Sequence, residues 1–121
     1  MKTGTSLKFA ASSREGALTL GESLSIIKNA GFDAIEVDLS SGVGAQALRS
    51  SDPAKSLGEI RLAAEEYGVK IVSVHAPHDH RLYIPELQPT KEESAEFDRL
   101  LSLSAEAAHI LGAEILVVHP V

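Results

Sequence analysis

At 121 residues, with 44% hydrophobic and 23% charged residues, the chain has the size and composition of one ordinary globular domain. A net charge of −6 argues against binding to nucleic acid backbones, and the absence of cysteine excludes disulfides, thiolate metal sites and a cysteine nucleophile. No segment has the ~20 apolar residues that cross a bilayer, and the N-terminal stretch lacks the apolar run of a signal peptide, so we expect a cytoplasmic protein without a membrane partner.

Strands and helices are predicted to alternate along the whole chain. The predicted strands are residues 6–12, 32–39, 69–76 and 113–120, and the predicted helices are residues 19–31, 56–68 and 90–112. Such alternation with short connections is typical of α/β proteins with a parallel sheet and right-handed crossovers.

Each predicted helix begins with a capping-box pattern and stops at glycine. A Thr or Ser is followed three residues later by Glu, so that the two side chains can bind the free amides of the first turn. The pairs are Thr19 with Glu22, Ser56 with Glu59, and Thr90 with Glu93, and the glycines are Gly31, Gly68 and Gly112. The "GVG" at 42–44, between the second strand and the second helix, is interpreted as a flexible turn.

Two architectures fit this order of elements. A doubly wound nucleotide-binding sheet should carry a glycine-rich phosphate turn after its first strand, but "SSREGALTLG" at 12–21 contains neither G-x-G-x-x-G nor a P-loop. The sequence therefore favours half of a (β/α)8 TIM barrel with four parallel strands and three helices. Residues 1–121 are then expected to be a single domain, the N-terminal part of a barrel that lacks strands 5–8.

Strand alternation predicts which side chains point towards the barrel axis. The side chains expected to face the helices are Ile35, Val37, Leu39, Val72, Val74, Leu116 and Val118. The side chains expected to face inward are Ala34, Glu36, Asp38, Ile71, Ser73, His75, Ile115, Val117 and His119. Three chemically useful groups thus lie near the carboxyl ends of strands, where TIM barrels carry out their chemistry.

His75 and His119 are the candidate metal ligands. Neighbouring strands lie ~4.8 Å apart, so two imidazoles can converge on one ion at ~2.0–2.1 Å from each nitrogen. Pro77 and Pro120 interrupt the strand ladder just beyond the histidines and hold them at the rim of the sheet. The alternative is that both histidines only form hydrogen bonds with neighbouring residues and line the mouth of the barrel, at the carboxyl ends of the strands.

Other polar residues at this end receive separate interpretations. Glu36 is the candidate catalytic carboxylate, with an ion pair to Lys or Arg as the alternative. His78, Asp79 and His80 follow Pro77 and are interpreted as a solvated loop, and Asp38 is expected to orient the loop that follows it.

Three arginines and one further histidine complete the set. Arg14 and Arg81 are candidate groups for binding an anionic substrate, as is Arg49, because all three fall in loops at the same face. His109 lies beside the apolar stripe of the third helix and is expected to be exposed.

Three segments carry a resemblance to a known family. With "AGFDAIEVDL" at 30–39, "GVKIVSVHAPHD" at 68–79 and "LGAEILVVHPV" at 111–121, the sequence resembles the xylose isomerase-like TIM barrel superfamily, especially its sugar phosphate isomerase/epimerase family. The order and spacing of the segments fit over the whole chain. The resemblance implies divalent-metal enzymes that isomerise or epimerise sugars through an enediolate. Endonuclease IV shares this barrel, and the histidines of its zinc site match His75 and His119.

The resemblance also implies what this chain lacks. The principal metal ligands of the isomerases, two Glu, an Asp and a His, belong to the later strands, so His75 and His119 would be accessory ligands or substrate-binding groups. We therefore expect a fragment of a sugar or sugar phosphate isomerase/epimerase that is inactive alone. Its full-length relative would use Zn²⁺, Mn²⁺, Mg²⁺ or Co²⁺, and the fragment itself need not bind one.

Two alternatives to the isomerase fragment remain open. The first is an endonuclease IV-like zinc phosphodiesterase, which the negative net charge disfavours. The second is a non-catalytic half barrel whose exposed first and fourth strands pair with those of a second copy, giving an eight-stranded homodimer.

Overall fold

Four parallel strands form one open sheet in the order β1-β2-β3-β4, with helices in the connections. The computed structural model describes residues 3–7, 19–79, 81 and 84–119. The elements are β1 (Gly4–Ser6), α1 (Leu20–Asn29), β2 (Ala34–Asp38), α2 (Gly42–Leu48), α3 (Pro53–Glu66), β3 (Lys70–His75), a 3-10 turn (Pro85–Leu87), α4 (Lys91–Leu111) and β4 (Ile115–Val117). The α/β prediction and the half-barrel arrangement are confirmed. None of the helices in these ranges combines the length and apolar character that a membrane crossing requires.

The first strand lies earlier in the chain than the sequence predicts. It begins at Gly4, and Gly4–Ser6 pairs with the first three residues of β2. The backbone N–H of Leu7 then donates to the carbonyl of Glu36 at 3.0 Å, which continues the contact beyond the strand. Residues 8–12 of the predicted strand lie outside the described residues.

Two of the three predicted capping boxes are confirmed. The Thr19 hydroxyl accepts the backbone N–H of Glu22 at 3.1 Å, and the Glu22 carboxylate accepts the backbone N–H of Thr19 at 3.4 Å. Thr90 and Glu93 repeat both bonds at the start of α4. The predicted glycine stops are also confirmed. The backbone at each of these glycines is left-handed, a conformation that glycine adopts at no steric cost. Their φ angles are +95° at Gly31, +68° at Gly68 and +73° at Gly112.

The capping box predicted at Ser56 is wrong. The helix begins one turn earlier, at Pro53, with Asp52 as the cap residue. The Asp52 carboxylate accepts the backbone N–H of Lys55 at 3.2 Å, and proline is well suited to the first helical position because it has no N–H to satisfy. Ser56 consequently lies inside the helix rather than at its start.

The turn predicted at 42–44 is the beginning of a helix, α2. This helix runs so close to β2 that a Cβ on Gly44 would lie 2.3 Å from the carbonyl oxygen of Asp38 and 3.0 Å from a methyl carbon of Val37. Gly44 therefore serves close packing rather than flexibility. Ala45, Ala47 and Leu48 of the same helix are buried.

The apolar face of the sheet packs under the helices, as predicted for β2. Ile35, Val37 and Leu39 are fully buried in the hydrophobic core. Helices α1, α3 and α4 cover this face with their own apolar stripes, whose buried members include Leu24, Leu57, Ile60, Leu100 and Leu111.

Strand β3 contains a register irregularity that the sequence did not predict. The pairs on either side of it are Ile35 with Ile71 and Glu36 with Ser73. Val72 is thus an extra residue, and both Ile71 and Val74 belong to the core although they are three residues apart. The prediction that Ile71 faces inward is wrong for this reason. From Ser73 onward the alternation returns to the predicted phase.

Strand β4 shows that the inner face of the half barrel is open. Leu116 packs against the core, whereas Ile115 and Val117 on the other face are 56% and 36% exposed. Val118 lies beyond the strand and is exposed, so its predicted packing under the helices is wrong. The association of two copies through such surfaces stays a prediction.

We predict that Gly44→Ala lowers the free energy of unfolding by at least about 2 kcal/mol, because the added methyl would overlap backbone atoms of β2. Gly58→Ala is the matched control. Among the described residues, no atom outside its own helix lies within 4 Å of a Cβ at that position, so alanine should stabilise α3 by about 0.5–1 kcal/mol. Urea denaturation of both variants tests the pair, and equal effects would contradict the close approach of α2 to β2.

Candidate metal centre

Two histidines meet at the carboxyl end of the sheet. His75 is the last residue of β3 and pairs with Val117 of β4, so His119, two residues beyond, lies on the same face. The Nε2 atoms of the two rings are 2.6 Å apart. One of these nitrogens must carry a proton that the other accepts, since two lone pairs would repel. The predicted convergence of His75 and His119 is confirmed, and their role as metal ligands stays a prediction.

Glu36 supports His75 from the neighbouring strand. Its Oε1 lies 3.3 Å from Nδ1 of His75, and the two side chains are 31% and 24% exposed, respectively. In neutral imidazole this contact requires the proton on Nδ1, which leaves the lone pair on Nε2. A histidine that binds metal through one nitrogen usually donates its other N–H to a carboxylate in this way. The structure thus connects Glu36 with His75, and a catalytic role for Glu36 stays a prediction.

His78 joins the two predicted histidines. It is exposed, as expected for its loop, but its ring centroid lies 4.4 Å from that of His119 and 5.8 Å from that of His75. The three residues offer ligand atoms that lie within 4.8 Å of one another. The prediction that His78 lies in a solvated loop agrees with its exposure, and the structure adds that its ring lies against those of His75 and His119. The spacing His75-x-x-His78 with Pro77 between them is a signal that could have indicated this return of the chain.

The turn after β2 holds the loop that carries His78. The buried Asp38 accepts the backbone N–H of Ser40 at 2.8 Å and the hydroxyl of Ser41 at 3.4 Å. The hydroxyl of Ser40 in turn accepts the backbone N–H of His78 at 3.1 Å. The predicted role of Asp38 in orienting its loop is confirmed.

Arg81 is bound by carboxylates on two sides. Its Nε and Nη2 donate to Asp79 at 2.6–3.0 Å, and its Nη1 lies 2.5 Å from Oε2 of Glu93 at the start of α4. The hydrogen bonds that the guanidinium donates to Asp79, and then to Glu93, raise the pKa of Arg81, and Arg81 holds the pKa of the Glu93 carboxyl below its usual range. In the structure this side chain connects Asp79 of the loop to Glu93 at the start of α4. Substrate binding by Arg81 stays a prediction.

Of the remaining candidates, Arg49 lies close to this centre. A cavity of about 430 Å³ borders the histidine cluster, and Ser40, His78 and Arg49 are among the residues that line it. Arg14 and His80 lie outside the described residues. His109 is exposed on α4, as predicted.

The donor atoms fit a divalent cation after a small adjustment. Tetrahedral coordination at ~2.0–2.1 Å requires about 3.3 Å between two ligand nitrogens, so the rings of His75 and His119 would separate by less than 1 Å. Both side chains reach solvent, which allows this movement. Imidazole nitrogens suit Zn²⁺ or Co²⁺ better than Mg²⁺, which prefers oxygen ligands.

We predict that Glu93→Gln lowers the melting temperature at pH 7 and that the difference from the wild type closes at acidic pH. A carboxyl whose folded pKa is depressed stabilises the fold above its unfolded pKa, and this contribution is lost as the pH falls through the folded pKa. Glutamine keeps the acceptor for the Thr90 N–H, so the cap survives. Glu92→Gln, which leaves the Arg81–Glu93 pair intact, is the control. Melting curves between pH 7 and pH 3 that show a constant difference for Glu93→Gln would contradict this assignment.

Comparison with known proteins establishes the fold. No family model matches the sequence, and no curated protein matches it. Among solved structures, the chain is similar to a xylose isomerase domain-containing protein from Salmonella typhimurium LT2, with a TM-score of 0.57 and 20% sequence identity. The match covers 99% of this chain and 37% of that chain. The molecule therefore has part of a xylose isomerase-like fold, as the resemblance in its sequence implied.

Proposed function

We propose that this half barrel is part of a sugar or sugar phosphate isomerase or epimerase that depends on a divalent metal, with His75 and His119 as metal ligands. The observation that carries the proposal is the 2.6 Å approach of the two Nε2 atoms at the carboxyl ends of adjacent strands. The likeness to a xylose isomerase domain-containing protein supports the choice of reaction class.

The chain's own residues would prepare the ligands. Glu36 accepts the Nδ1 proton of His75, which keeps the Nε2 lone pair directed at His119 and increases the basicity of the ring. His119 would exchange its Nε2 contact with His75 for the ion. A bound metal would supply Lewis-acid polarisation of a substrate carbonyl.

The surroundings suit a small polar ligand. The cavity of about 430 Å³ beside the histidines falls in the range of small-molecule sites, and its lining includes the hydroxyl of Ser40 and charged side chains such as Arg49 and Glu92. A sugar in this cavity would have hydroxyl, cationic and anionic partners within reach. For a sugar phosphate, Arg49 is better placed than Arg81, whose guanidinium is already bound by Asp79 and Glu93.

We predict that His75→Ala and His119→Ala each lower Co²⁺ or Zn²⁺ affinity by tenfold or more, because each removes a ligand. Glu36→Gln should lower the affinity by about tenfold, the lower end of the effect of removing an outer partner of a metal ligand. Isothermal titration calorimetry measures both effects. The control is His109→Ala, at an exposed histidine on α4 away from the strand ends, which should bind as the wild type does. Equal affinity in all four variants would refute the site.

We also predict that the 121-residue chain alone shows only background aldose–ketose interconversion with added Mn²⁺, Co²⁺ or Zn²⁺. The carboxylate ligands that the resemblance assigns to later strands are absent from its four strands. Turnover above background that His75→Ala abolishes would overturn this expectation, and would show that the histidine site suffices for catalysis.

A further inference from the structure

We infer that His78 is a third metal ligand and that Ser40 is the positioning residue that sets its tautomer. This inference rests on the proposed metal site at His75 and His119 and adds a ligand from the loop after β3. It converts a pair of imidazoles into a three-histidine site with room for a fourth ligand.

The hydroxyl of Ser40 lies among three groups of the neighbouring loop. It accepts the backbone N–H of His78 at 3.1 Å. It also lies 3.2 Å from Nδ1 of the same residue and 3.4 Å from the carbonyl oxygen of Ala76. A hydroxyl has one proton to donate and can accept two hydrogen bonds.

The number of donors and acceptors decides how this proton is used. Ala76 is fully buried, and a buried carbonyl needs a donor. If the Ser40 hydroxyl donates to that carbonyl, it accepts from both the backbone N–H and the Nδ1–H of His78, and all three contacts are satisfied. If it donates to Nδ1 instead, the carbonyl loses this donor. The first arrangement places the lone pair of His78 on Nε2, the nitrogen that would bind the ion.

Ser40 is itself held in place from the end of β2. Its backbone N–H donates to the carboxylate of Asp38, which is only 9% exposed. Asp38 pairs with His75 in the sheet, so the turn that carries Ser40 begins at the level of the metal centre. One strand end thus supports two ligands, since Glu36 orients His75 and Ser40 orients His78.

A site of three imidazoles has a definite metal preference. Three histidines with one open position are typical of catalytic Zn²⁺, and Co²⁺ accepts the same geometry, whereas Mg²⁺ requires mainly oxygen ligands. The inference therefore predicts selectivity for Zn²⁺ and Co²⁺ over Mg²⁺ in this chain.

The tautomer of His78 is tested without metal. Side-chain ¹⁵N NMR of the metal-free protein, at a pH well above the ordinary imidazole pKa of about 6.5, should show His78 protonated on Nδ1. Ser40→Ala should shift His78 towards the Nε2–H form that free histidine prefers, and Ser40→Thr should restore the Nδ1–H form. Ser41→Ala is the matched control, because the hydroxyl of Ser41 bonds to Asp38, while Ser40 keeps its own backbone bond to that carboxylate. A wild-type His78 protonated on Nε2 would overturn the role of Ser40.

The ligand role of His78 is tested by titration with Co²⁺. His78→Ala and Ser40→Ala should each weaken binding by tenfold or more and change the visible Co²⁺ spectrum, while Ser41→Ala should bind as the wild type does. Wild-type affinity in His78→Ala would overturn the third ligand and leave the site at His75 and His119 standing. Absence of Co²⁺ binding in the wild type would instead overturn the proposed function, and the ligand role of His78 with it. His78 is exposed, so His78→Ala keeps the test available even if Ser40→Ala lowers stability.

Discussion

The parallel pairing of β3 with β4 is the constraint on which the candidate site depends. His75 pairs with Val117, and side chains two residues apart in an extended chain lie on the same face, so His119 follows Val117 to the side of the sheet where His75 lies. Both strands run in one direction, which brings their carboxyl ends to the same edge. An antiparallel fourth strand would have carried His119 to the opposite end. The short distance between the two imidazoles is thus a result of topology before it is a result of side-chain chemistry.

The end of β2 contributes side chains that contact the candidate ligands, rather than candidate ligands of its own. Glu36 and Ser40 each contact the Nδ1 atom of a histidine on another segment, and Asp38 holds the turn between them. Outer contacts of this kind determine which nitrogen is available to an ion. The exposed apolar side chains of β4 and the absence of any further strand in the described sheet leave the opposite side of the mouth open. The half barrel therefore presents imidazole nitrogens that are oriented by hydrogen bonds, at the edge of an open four-stranded sheet.

The sequence predicted the features that short-range rules govern. The capping boxes at Thr19 and Thr90 and the phase of His75 and His119 follow from spacings of two or three residues, and all of them occur. One short-range feature was missed, the start of α3 at the local Asp52–Pro53 signal rather than at Ser56. The other features it missed depend on contacts between distant segments. The position of His78 is set by a hydroxyl 38 residues earlier in the chain. The helix at residues 42–48 is short and depends on the close contact of a glycine with β2, so its sequence pattern resembles that of a loop.

The irregularity at Val72 separates the two tasks of β3. Before it, the strand follows the packing of the core through Ile71, and after it the alternation that places Ser73 and His75 begins anew. The amino half of this strand can therefore change its fit to the helices without turning the histidine over. Conversely, loss of the extra residue Val72 would join Ile71 to Ser73 in unbroken alternation, so Ile71 would stay in the core and His75 would keep its face. Loss of one residue between Ser73 and His75, where the pairing is regular, would instead turn the imidazole to the side of the sheet that the helices cover.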